Sequence, residues 1–196
     1  AYATTDSSGT VNLGGNPDHY NIKWDGATLT LNGANVTGGY SYIDDYGDAN
    51  SAAIYCDGDM QILLVGENTV TGPASDSELS NGIAAVGDLT ISGSGSLKST
   101  SGYDGISIQN GDLTILSGNV MAEGGSGGIS NYDGDLTISG GEVTATGNGS
   151  YYDASSEDNL SYGFYIYGDC TISGGKVTIT AQADFPYTTR AYGMFI

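Results

Sequence analysis

Tyrosines and carboxylates are interleaved in three short stretches of this 196-residue chain: GGYSYIDDYGDAN at 38–50, SGYDG at 101–105 and GSYYDASSEDNLSYG at 149–163. A tyrosine offers a flat apolar ring ending in a hydroxyl, and an aspartate or asparagine beside it offers acceptor oxygens. That pairing suits a ligand that alternates C–H faces with hydroxyl groups, as a sugar does. Tyr40, Tyr42, Tyr46, Tyr103, Asp104, Tyr132, Tyr151, Tyr152 and Tyr162 are therefore the candidate carbohydrate contacts. The plainer reading is that the acidic loops are solvated and their rings pack over the body beneath.

The same carboxylates could ligate a hard cation, since Ca²⁺ takes several oxygen ligands at once. Asp44, Asp45, Asp48, Asp153, Glu157 and Asp158 supply them from the loops. A second set, Asp59, Asp88, Asp112, Asp135 and Asp169, recurs after a glycine each time. Stacked about 5 Å apart, such carboxylates would repel by about 0.8 kcal/mol per pair even in water. Either backbone N–H groups at a Gly-Asp corner offset that repulsion, or bound calcium does. The D-x-D-G spacing of an EF-hand is not met, so any calcium site would be irregular.

Catalysis has few candidates. With one histidine, His19, and two cysteines, a zinc site is poorly supplied, and so is a Ser-His-Asp triad. Two carboxylates among Asp44, Asp45, Asp153, Glu157 and Asp158 could hydrolyse a glycosidic bond. Proton abstraction beside a uronate would need a base with cationic help, for which Lys98 and Arg190 are the cations in reach. No compact constellation emerges. Non-catalytic binding leads, and a polysaccharide lyase or hydrolase is kept as an alternative.

Charge narrows the partners. The formal net charge is -19, with only Lys23, Lys98, Lys176 and Arg190 on the basic side. Such a field repels nucleic acid and anionic membrane surfaces and attracts cations. No apolar run approaches the ~20 residues of a membrane span. Neither a nucleic-acid partner nor membrane insertion is expected.

The elements that must position these groups are written as a repeat. GDLTISG at 87–93 returns as GDLTILS at 111–117, GDLTISG at 134–140 and GDCTISG at 168–174, with a weaker first copy in GATLTLNG at 26–33. Aligned copies place Leu29, Met60, Leu89, Leu113, Leu136 and Cys170 at one position. Two residues on come Leu31, Ile62, Ile91, Ile115, Ile138 and Ile172. Apolar-polar-apolar is a half-buried strand. Two more short strands fit each unit, one of the GEVTATG type and one of the GISIQN type. Three strands per turn of about 23 residues, with glycines at the corners, describe a three-sided parallel β-helix with rungs ~4.8 Å apart. Residues 1–19 form an N-terminal capping segment, and 20–196 a single β-helix domain.

The connections place the loops. From the inward residue of the third strand to the first of the next turn, Val36 to Ile54 spans 18 positions and Asn68 to Ile83 spans 15. Leu97 to Ile106 and Val120 to Ile129 span 9 each, and Val143 to Phe164 spans 21. Long loops flanking two short ones predict a saddle on one face, with a floor ~10 Å wide along the axis. Insertions in a solenoid map to one face, often the binding face.

Cys170 takes an inward position, and Cys56 precedes Gly58 as Ile166 precedes Gly168. Four turns separate them, roughly 19 Å, and a disulfide needs Cα atoms within ~7 Å. Two buried free thiols are expected. YGMFI at 192–196 copies YGFYI at 162–166, but the Gly-Asp strand does not follow. The C-terminal turn is incomplete, and an uncapped edge invites end-to-end self-association. A structural subunit of an extracellular fibre or an adhesin stalk is the second alternative.

The reiterated GDLTISGG-x-V-x-A-x-G … GI unit resembles that of the secreted carbohydrate-binding β-helical surface proteins of anaerobic clostridia, over roughly residues 20–196. The resemblance implies a fold similar to that of pectate lyases, binding of cellulose and acidic, pectin-like polysaccharides, and calcium in the structure. It implies an extracellular or cell-surface location as well. No catalytic motif comes with it: the G-H-G of polygalacturonases is absent, and so is a lyase arginine in a calcium-lined groove. The expected molecule is an all-β, right-handed parallel β-helix (a three-sided β-solenoid) of about six turns. Its expected partner is a polysaccharide and its expected cofactor calcium, which could join the protein's carboxylates to those of a uronate.

Overall fold

Short alternating runs cut by glycine give strands of three to eight residues and, among the described residues, no helix. The computed structural model describes residues 1–6, 8–13, 16–44, 47–74, 79–150, 159–183 and 189–196. The strands are β1 (Tyr2–Thr5), β2 (Val11–Leu13), β3 (Ile22–Trp24), β4 (Thr28–Asn32), β5 (Asn35–Thr37), β6 (Tyr40–Ile43) and β7 (Ala49–Cys56). There follow β8 (Met60–Val65), β9 (Glu67–Thr71), β10 (Leu79–Ala85), β11 (Leu89–Gly93), β12 (Ser96–Ser101), β13 (Asp104–Ile108), β14 (Leu113–Ile115) and β15 (Asn119–Gly124). The last seven are β16 (Gly127–Asn131), β17 (Leu136–Ile138), β18 (Glu142–Gly147), β19 (Asn159–Ile166), β20 (Cys170–Ile172), β21 (Lys176–Ala181) and β22 (Thr189–Phe195).

From β7 onward the chain visits three parallel sheets in rotation. The first sheet runs β2-β1-β3-β4-β8-β11-β14-β17-β20, the second β22-β19-β16-β13-β10-β7-β6, and the third β21-β18-β15-β12-β9-β5. Register stacks like on like: Leu89 on Leu113, Ile91 on Ile115, Ile83 on Ile106 and Leu97 on Val120. One apolar cluster takes Leu89 and Ile91 from the first sheet, Ile83 and Ile106 from the second, and Leu97 and Val120 from the third. Each such side chain, fully buried, contributes ~1.5–3 kcal/mol of transfer free energy. No helix among the described residues is long and apolar enough to cross a membrane.

Two expectations are corrected. The first unit sits two residues out of the aligned register: Leu29 pairs with Ile62 rather than Met60, and Val36 pairs with Val70 rather than Asn68. A slip of two keeps every side chain on its own face, so the alternation is blind to it. The buried Asn68 then serves the shifted rung, accepting the Ala34 N–H on Oδ1 and donating Nδ2 to the Ser96 carbonyl. The cysteines are free, as expected, but only half-buried. Cys170 lies on β20, the outermost strand of its sheet. Cys56 opens onto an apolar cavity of about 290 Å³ shared with Trp24, Leu29 and Met60. Burial pushes both thiols up.

A glycine in each second-sheet strand from β10 onward prepares the face that matters below. Asn81 pairs with Asp104 and Ile83 with Ile106, while Gly82 and Gly105 between them stay out of the ladder. A Cβ on Gly105 would stand 2.5 Å from the backbone nitrogen of Glu123 and 2.8 Å from the Gly128 carbonyl oxygen. The second sheet therefore presses a glycine and an isoleucine inward in succession. Residues on either side of that pair, such as Ala52, Asn81, Ala84 and Ser107, reach the outer face.

Candidate functional site

The outer face of the second sheet is bulky at its ends and small in its middle. One ladder reads Tyr55, Ala84, Ser107, Ser130, Tyr165 across five neighbouring strands. At one end Tyr42 and Tyr40 stack on Tyr55, with ring centroids 4.2 Å and 5.5 Å away. At the other, Tyr165 stacks on Phe195 at 5.3 Å, and Tyr132 leans against it at 5.4 Å. Aromatic pairs at such distances each add ~0.5–1.5 kcal/mol beyond their area, so the walls hold their shape. Two of the three small rungs belong to β13 and β16, the strands preceded by the short connections.

At Ser107, the middle one of these small rungs, opens a groove of about 440 Å³. The antiparallel β6–β7 hairpin contributes Asp44, Asp48 and Asn50 at one end. Asn81, Tyr103 and Ser107 line the floor, and Asn110, Tyr132, Asp133 and Tyr167 the far end. Asn110 turns the chain with φ 57, a left-handed conformation that asparagine tolerates. Asn81 is 2 % exposed; its Nδ2 donates to the Tyr42 hydroxyl at 3.3 Å, and its Oδ1 is buried with no hydrogen-bond partner.

The structure sorts the predicted carbohydrate contacts. Tyr103 and Tyr132 line the groove. Tyr42 is buried as part of the wall, and burial pushes its hydroxyl up to about 12. Tyr40 is exposed beside it. Asp104 lies beneath the groove at 1 % exposure, with Oδ2 accepting the Tyr132 hydroxyl at 2.8 Å. Burial raises its carboxyl to about 6, against the lowering effect of the Tyr132 and Ser130 hydroxyls and the Gly127 N–H. The Tyr132 phenol is raised well above its ordinary value, chiefly by burial. Tyr162 is 8 % exposed, stacked on Tyr192 at 5.7 Å, and does not line the groove. Tyr46, Tyr151 and Tyr152 lie outside the described residues. Sequence reasoning missed Asn81, Asn110, Asp133 and Tyr167. Aligning the GI-type strands would have found Asn81, which occupies the Asp104 position of its rung.

The metal candidates divide as well. Asp44 spends both oxygens locally, Oδ1 accepting the Asp48 N–H and Oδ2 the Asn50 amide, each at 2.9 Å. Asp45, Asp153, Glu157 and Asp158 lie outside the described residues. In the aspartate column the Oδ1 of each of the first four members accepts the backbone N–H of the next. Asp59 takes Asp88 at 3.0 Å, Asp88 takes Asp112 at 2.8 Å, Asp112 takes Asp135 at 2.9 Å, and Asp135 takes Asp169 at 2.8 Å. These charge-assisted bonds offset the repulsion between neighbours. Among the described residues, no three His, Cys, Asp or Glu side chains converge where a metal ion could sit. Neither Lys98 nor Arg190 lines the groove.

What the arrangement can do is hold a flat, hydroxyl-bearing ligand. The rings of Tyr103, Tyr132 and Tyr167 offer apolar faces, and Asn81, Asp48 and Asp133 offer acceptors. A family model described as "Carbohydrate-binding domain-containing protein" matches residues 8–190 of the chain. No curated protein and no solved structure matches it.

Proposed function

We propose, from the premise that the chain belongs to the family of carbohydrate-binding domain-containing proteins, that it binds polysaccharide in the groove on the outer face of the second sheet and performs no reaction on it. The observation that carries this reading is a groove of about 440 Å³ lined by Tyr103, Tyr132, Tyr167, Ser107 and Asn81, the last with a buried acceptor left without a partner. A buried polar group without a partner calls for an explanation, and in the lining of a groove a ligand donor supplies one.

The fold belongs to the proposal in its finer form. Rotation of the chain through three parallel sheets supports a right-handed parallel β-helix, a three-sided solenoid of the pectate-lyase type. The polymers are those of plant cell walls, cellulose and acidic, pectin-like chains, met outside the cell or on its surface. Calcium enters as an exchangeable ion drawn to an acidic surface, and only an acidic polymer requires it. A second reading, end-to-end association into a fibre or stalk, is favoured by the exposure of Ile172 and Phe195 on the outermost strands of two sheets.

Co-sedimentation with insoluble cellulose and with calcium-polygalacturonate gel, each with and without EDTA, tests the proposal. Depletion from solution by either polymer is expected, and reversal by EDTA is expected on the gel alone. Failure on both polymers, with assemblies forming in sedimentation velocity without glycan, moves the function to the fibre.

A further inference from the structure

Resting on the reading that this groove holds glycan, we infer that its preferred ligand is a polysaccharide bearing free amino groups, a polymer of hexosamine rather than of hexose or hexuronic acid. Among the described residues, every ionisable group lining the groove other than the tyrosine hydroxyls is a carboxylate: Asp44 and Asp48 at one end, Asp133 at the other. None of the four basic residues of the sequence lines it. Acidic residues alone specify nothing, but the floor adds an independent demand. The Asn81 Oδ1 is buried, unpartnered and part of the same lining, while its Nδ2 is already used toward Tyr42.

Both ends and the floor thus present acceptors. A sugar hydroxyl can donate or accept, whereas an ammonium has three donors and no acceptor. A uronate would set acceptors against acceptors and bring negative charge into the field of a chain at -19. An ammonium meets carboxylates at either end, and the faces of Tyr103, Tyr132 and Tyr167 attract it further. N-acetylation removes the charge and two of the three donors and adds a carbonyl acceptor, so it should remove the preference while leaving the ring contacts.

The test is calorimetric titration with β-1,4 oligomers of glucosamine, of N-acetylglucosamine and of glucose, equal in length. It is run in EDTA at mildly acidic pH, where the amines are protonated. The glucosamine oligomer should bind about tenfold or more tightly than either neutral one, and added salt should shrink that margin. The double variant Asp48→Asn, Asp133→Asn should lose the margin, the glucosamine oligomer falling to the affinity of the neutral ones. Glu67→Gln, on the third sheet, should keep it. Equal or tighter binding of the neutral oligomers overturns the inference and leaves glycan binding intact. Loss of the margin in Glu67→Gln overturns it too, because the attraction would belong to the whole molecule's field. Binding of none of the three overturns the inference, and the glycan reading then stands or falls on the calcium-polygalacturonate gel.

Discussion

Tyr132 donates its hydroxyl to Oδ2 of Asp104 across 2.8 Å, tying a residue of the groove wall to a carboxyl group one rung away and beneath the floor. The ring therefore lies back over the strand instead of standing into solvent. What shapes the groove at this point is a bond to a buried acid.

That acid makes stability depend on pH in a definite direction. Burial raises the Asp104 carboxyl from 3.8 to about 6, so the native state keeps a proton that the unfolded state has released. The resulting stabilisation is present below the unfolded value and is lost as pH rises through the window from 3.8 to about 6. At about 1.4 kcal/mol per unit, the loss is of order 3 kcal/mol. Asp104→Asn carries no such proton. Its thermal midpoint should gain on that of the wild type between about pH 4 and about pH 7. The exposed Asp6 and Asp25 are shifted downward by bonds from Ser8 and Thr28, the opposite sense. They are common to both proteins and cancel in the difference. Parallel midpoint curves for the two proteins would refute the assignment.

The aspartate column makes a separate prediction. Asp112 accepts the Asp135 N–H, while its own N–H is taken by Asp88. Asp112→Ala should lower stability by about 1 kcal/mol through the orphaned donor, and Asp112→Asn, which keeps a side-chain oxygen, should recover most of it. Thermal unfolding in EDTA reads both. If calcium rather than the backbone offsets the column, the wild type itself should lose stability in EDTA and Asp112→Asn should resemble Asp112→Ala.

Much of this architecture was legible because its signal repeats. Leu89, Leu113 and Leu136 occupy one ladder as their aligned copies demanded, and period-two alternation assigns a buried face without knowledge of the partner strand. The same alternation could not see the two-residue slip that sets Leu29 on Ile62, because parity is unchanged by it. Asn81 was hidden by the glycine after it: Gly82 and Ile83 both turn inward, so parity counted from Ile83 points Asn81 into the core. Tyr132 was legible as a candidate, but its reach to Asp104 depends on a neighbouring rung. The half-burial of Cys170 follows from its place on an outermost strand, which composition does not encode.

Tyr103 and Tyr162 look alike in the sequence, each lying in a tyrosine-acid stretch, and the structure separates them. Tyr103 is half-buried and lines the groove. Tyr162 is 8 % exposed, packed on Tyr192 and, edge-on, on Tyr165 and Phe195. Truncating a ring that contacts ligand removes binding, whereas truncating one enclosed by other rings removes packing. Tyr103→Ala should therefore weaken retention on polysaccharide by about tenfold, the scale of a contact worth ~1–2 kcal/mol, with little change in thermal midpoint. Tyr162→Ala should lower stability by several kcal/mol, ~3–5 for a large aromatic lost from a packed site. Protein that remains folded should still bind. Affinity electrophoresis in gels containing the polymer reads retention of folded protein alone, and a thermal scan reads stability. If Tyr162→Ala abolished retention at unchanged midpoint while Tyr103→Ala did nothing, the ligand would lie on the aromatic stack near β22 and not in the groove.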